Sequence, residues 1–134
     1  MKELLSRIDQ VSERRGRQWT REGQVILVKL HEGSRSQAIR VSRYEDRYVF
    51  RSVVLPASAA TRNKHHRRRI AYRAWRRNAS KPLVTFAFDD DDRLIGLIEV
   101  PAATLDHEEI DLYIEALARE CDRFEYVLTG ADEG

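Results

Sequence analysis

The chain has 134 residues, the size of one domain, which excludes a large multi-domain enzyme. Apolar residues make up 42% and charged residues 34%, enough for a core beneath a heavily charged surface. The net charge of +2 conceals a split, because residues 1–88 carry 21 basic and 7 acidic side chains while residues 89–134 carry 3 and 15; such asymmetry is a prompt to look for a charged partner or tail.

Residues 2–15 read as an amphipathic helix, with Leu4, Leu5, Ile8 and Val11 at three- and four-residue spacing and Gly16 as its left-handed terminator. Trp19 falls in the connection that follows. The period then changes to two. Gln24 to Leu30 is a strand, apolar on both faces over Val25–Val28 and therefore expected to be central or covered. His31 to Ser34 is a turn. Gln37 to Tyr44 alternates, Ile39 and Val41 against Arg40 and Ser42, and Glu45-Asp46 turns into a third strand, Arg47 to Leu55. Short strands on short turns predict an antiparallel meander, ended by Pro56.

Ser58 to Asn78 reads as a second helix. Its apolar stripe, Ile70, Ala71, Ala74 and Trp75, lies only in the second half, so Thr61 to His66 could equally be loop. Leu83 to Phe88 and Arg93 to Val100 form a hairpin about the polar turn Asp89–Asp92. In the last helix Asp106 and Glu109 are spaced as a capping box; Ile110, Tyr113, Ile114, Leu117, Cys121, Phe124 and Leu128 trace one face, and Gly130 is a fitting stop. The order helix, three strands, helix, two strands, helix predicts an α+β fold, an antiparallel sheet packed with helices, in a single domain over 1–134 with 131–134 a frayed tail.

One cysteine excludes an intrachain disulfide and makes a reducing cytoplasm the simplest home. No run approaches the roughly 18 apolar residues of a membrane span, and Met1 to Arg7 has no apolar core of a signal peptide, so no membrane partner is expected. Adjacent His65 and His66 diverge on a helix and lack the i,i+4 spacing of a metal pair; they read as solvated or packing side chains. Asp89–Asp92 lies between strands and lacks the ligand spacing of a calcium loop, so it reads as a charged hairpin tip. Cys121 is flanked by Glu120 and Asp122 rather than by cations, which favours a buried thiol over a reactive one. No nucleophile–base motif and no phosphate-cradling glycine run occurs, so no catalytic, cofactor or metal residues are assigned.

The sharp feature is basic. Between Arg47 and Phe88 there are 11 Lys and Arg and no acid. Arg67, Arg68, Arg69, Arg73, Arg76 and Arg77 are candidates for phosphate contact through counterion release, with Tyr72 and Trp75 as a stacking surface. The simpler reading is that this face meets the acidic last helix, in the same molecule or a partner.

Trp75-Arg76-Arg77-Asn78, the hairpin Val84–Asp89 and Leu94–Pro101, Leu105–Glu109 and Cys121–Glu125 together resemble the YbjN-like proteins of the type III secretion chaperone-like superfamily. The resemblance implies that superfamily's fold and a small, non-enzymatic, cytoplasmic protein that binds a protein partner or itself, as a homodimer to which the middle helix contributes. The expected function is therefore a chaperone-like or regulatory protein-binding module that uses its sheet and helix surfaces, with Ile70, Ala74 and Trp75 as partner or dimer contacts; the same residues read equally as core, Ile70 above all. A nucleic-acid-associated factor using the basic middle helix is the alternative.

Overall fold

The computed structural model describes residues 1–30 and 35–130, so the expected turn at His31–Ser34 and the tail at 131–134 lie outside the described residues. Helix α1 (Lys2–Arg14) forms where the apolar spacing places it and buries Leu4, Ile8 and Val11. The chain turns at Gly16, φ +60°, a left-handed conformation that glycine adopts without a Cβ penalty. Six strands follow as one antiparallel sheet in the order β1-β2-β3-β4-β6-β5: β1 (Trp19–Glu22), β2 (Val25–Lys29), β3 (Ser36–Tyr44), β4 (Arg47–Leu55), β5 (Thr85–Phe88) and β6 (Leu94–Pro101).

Strand β1 is an addition to the expected order. Trp19 starts it rather than lying in a connection, and Trp19 pairs Val28 across a short turn at Gly23 and Gln24; Gly23 has φ +60°. The period-two signal over β1 is weak because only Trp19 is apolar. Strand β2, expected to be central or covered, is central, between β1 and β3, but only one face is covered, with Ile26 and Val28 buried and Leu27 46% exposed.

The expected helix over Ser58–Asn78 divides into a single turn α2 (Ala57–Ala60) and the long α3 (Lys64–Ala79). Asn63 caps α3, its side-chain oxygen accepting from the His66 amide at 2.8 Å; this satisfies one of the free N–H groups of the first turn. Helix α4 (His107–Gly130) opens with the expected capping box, in which the Asp106 carboxylate accepts from the Glu109 amide at 2.8 Å and the Glu109 carboxylate from the Asp106 amide at 3.1 Å.

The core lies between α4 and one face of the sheet. Ile110, Ile114, Leu117, Cys121 and Phe124 pack over Ile26, Ile39, Val41, Phe50 and Ile98. Helix α1 packs against α4, and α3 against β5. Gly96 on β6 permits this close approach, because a Cβ there would lie 2.5 Å from the Cys121 sulfur.

Candidate functional site

Two surfaces carry residues that the core does not absorb. The first is the sheet face turned away from α4. Strand register sets it: side chains alternate, so with Ile39, Val41 and Phe50 inward, Arg40, Val49, Arg51, Val53 and Leu97 stand outward. A concavity of about 580 Å³ opens there, lined by Ser42, Val49, Arg51, Ile95, Leu97 and Glu99 and rimmed by Tyr44, Asp89–Asp91 and Arg93. Its lining is mixed, with Val49, Ile95 and Leu97 apolar and Ser42, Arg51 and Glu99 polar. Arg40 and Arg51 oppose one another directly, an unfavourable like-charge pair, and the buried Nε of Arg51 has no hydrogen-bond partner among the described residues.

The hairpin tip at its rim is built by Asp89. Its carboxylate accepts from the amides of Asp91 and Arg93 at 2.9 Å each and from Arg93 Nε at 2.8 Å. Burial raises its pKa, but these hydrogen bonds and the Arg93 charge outweigh burial and hold it below the usual carboxylate value. No group of three or more potential metal ligands occurs among the described residues.

The second surface is the outer side of α3. Ile70 and Ala74 are each 4% exposed, so two of the three residues assigned to partner contact are core: four apart on one helical face, they are turned inward where α3 packs on the sheet edge. Trp75 is 64% exposed and stacks with Tyr72, 58% exposed, at 6.0 Å between ring centroids and 27° between planes.

The six arginines assigned to phosphate divide. Arg67 lies over the Phe88 ring at 4.3 Å and 3.8 Å from Asp92. Arg77 lies over Phe124 at 4.4 Å and 4.0 Å from Glu120. Both are held against the fold by cation–π contact. Arg68, Arg69, Arg73 and Arg76 make no ion pair with a described residue. The acidic last helix takes its cations mainly from elsewhere. Arg17 bonds Asp111 through both carboxylate oxygens at 2.7 Å and meets Glu115 at 3.1 Å, while Arg35 meets Asp122 at 3.3 Å. Within one molecule, the expected neutralisation of α3 by α4 thus reduces, among the described residues, to one long contact, Arg77 to Glu120.

His66 is structural, its Nε2 2.8 Å from the Ala59 carbonyl. Cys121 is fully buried, and burial pushes its thiol up to about 12.

No protein-family model matches the sequence, and no curated protein does either. Solved structures do match the fold. The crystal structure of the ExsC–ExsE complex superposes with a TM-score of 0.63 at 13% identity, over 95% of this chain and 94% of that one. YbjN from E. coli gives 0.57 at 15% identity over 96% and 91%. The Yersinia pestis type III secretion chaperone SycH, in complex with a fragment of YscM2, gives 0.51 at 13% identity over 84% and 91%. The chain has the type III secretion chaperone-like fold.

Sequence reasoning expected partner binding on sheet and helix surfaces but named residues only on the middle helix, and the outward residues of the sheet face are the ones it missed. Their signal was present: Leu27, Val53 and Leu97 sit at outward positions of strands whose other face is already apolar, which is more apolar surface than one core needs.

Proposed function

We propose that the chain is a non-enzymatic protein-binding module of chaperone-like type, acting in the cytoplasm, and that it holds an extended segment of a protein partner along the open face of its sheet. The observation that carries this reading is the concavity over Val49, Ile95 and Leu97, beside the directly opposed Arg40 and Arg51. An apolar side chain of the partner packs on Val49, Ile95 and Leu97, and a carboxylate of the partner meets the Arg51 guanidinium, offsetting its like-charge opposition to Arg40. Two neighbours with the same fold are seen in complexes, ExsC–ExsE and SycH with a YscM2 fragment, and this supports a partner that is a polypeptide. Among the described residues no helix is long and apolar enough to cross a membrane.

The test is a pair of affinity purifications, one with the natural chain and one with a Val53→Glu/Leu97→Glu variant. A partner retained by the first and lost by the second, and then rebound as a purified segment with the same dependence, supports the reading. Equal retention by both, with the variant folded, refutes it.

A further inference from the structure

The middle helix carries charge that the fold leaves unused. Arg68, Arg69, Arg73 and Arg76 have no acidic partner among the described residues, and Asp111, Glu115 and Asp122 of α4 are engaged by Arg15, Arg17 and Arg35. Arg68 and Arg69 stand four and three residues before Tyr72, and Arg76 stands four after it. On a helix these spacings share one face, so guanidinium groups flank the exposed Tyr72–Trp75 stack at both ends.

We propose that this outer face of α3 binds single-stranded nucleic acid without sequence preference. Tyr72 and Trp75 stack on bases, and Arg68, Arg69, Arg73 and Arg76 meet the backbone phosphates. Base–aromatic stacking beside a basic track is how sequence-tolerant single-strand binding works, and each phosphate neutralised adds counterion release. A duplex would engage the arginines but hides its base faces from the rings. An acidic peptide would also engage the arginines, yet it offers no planar group to the two rings. The proposal uses no residue of the open sheet face and stands or falls apart from the protein-binding reading.

The experiment is anisotropy with a labelled oligothymidylate, a duplex of equal length and polyglutamate as competitor, titrated across salt. Two variants accompany it, Tyr72→Ala/Trp75→Ala and Arg69→Gln/Arg76→Gln, both checked by thermal melting. The single strand binds in preference to the duplex, with a log–log salt slope of about −3 for four phosphates. Loss of both rings weakens binding at least about tenfold, the scale of one or two stacked bases. Loss of two arginines flattens the slope by about 1.4. Four results would overturn the proposal: no binding at low salt, duplex binding as tight and indifferent to the rings, polyglutamate bound with the same dependence on the rings, or a dimer in light scattering that the ring variant dissociates.

Discussion

Asn78 makes both hydrogen bonds that a neighbouring strand would offer Phe86: its Nδ2 donates to the Phe86 carbonyl at 2.8 Å and its Oδ1 accepts from the Phe86 amide at 2.9 Å. Phe86 sits in β5, the edge of the sheet. The end of α3 thus closes an edge that would otherwise present free backbone groups. Asn78→Ala leaves a part-buried donor and acceptor unmet and is expected to cost about 1–3 kcal/mol in urea unfolding, with faster amide exchange at Phe86. Asn78→Asp keeps the acceptor, loses the donor and falls between.

Gly96 and Cys121 form a second close pair. A Cβ at Gly96 would also come within 3.0 Å of Val84 Cγ1, so the neighbours must shift. Gly96→Ala is expected to destabilise by about 1–3 kcal/mol, the usual cost of overpacking. Gly96→Ala combined with Cys121→Ala should cost less than the sum of the two, because the shortest clash is then gone. The native Cys121 thiol should resist a thiol reagent at neutral pH and react only at the rate of unfolding, since the thiolate is the nucleophile.

The carboxylate of Asp111 is 9% exposed and Arg17 is its bidentate partner, 35% exposed. Arg17→Ala strands a nearly buried charge, with Arg15 left at 3.6 Å. The expected loss is about 1–2 kcal/mol, below the cost of breaking a fully buried pair because the guanidinium is partly screened. Arg17→Ala/Asp111→Ala should recover part of it in a double-mutant cycle.

Asp89 gives a pH dependence with a definite sign. Its folded pKa lies below the unfolded value. Its contribution is therefore fully present above the ordinary carboxylate pKa of about 4 and is lost as pH falls through the folded value. Melting temperatures taken from neutral to acid pH should fall more gently in Asp89→Asn, which also starts from a lower stability at pH 7.

The helical elements were legible where one period dominated. Leu4, Ile8 and Val11 mark α1, and Ile110 to Leu128 mark α4, because each face buries a regular stripe. The capping pair Asp106 and Glu109 was readable for the same local reason. Strand β1 was not, since an edge strand needs little apolar patterning and Arg21 is held by Asp9 on α1, Nε to Oδ1 at 2.7 Å. The division of the arginines was not readable either. Arg67 and Arg77 are chosen by rings, Phe88 and Phe124, that reach them only through tertiary packing. Ile70 and Ala74 look like a contact stripe in sequence because nothing local says whether a short apolar stripe meets the core or a partner.

The most direct measurement places a photo-crosslinking residue at Leu97, on the open sheet face, and as a control at Glu13, on the exposed side of α1. Discrete crosslinks to one polypeptide from Leu97 and none from Glu13 are expected, with the crosslinked partner segment binding the purified chain and losing affinity on Leu97→Glu. Crosslinks equal from both positions, or a partner segment whose binding ignores Leu97→Glu, would contradict a binding surface on the open face.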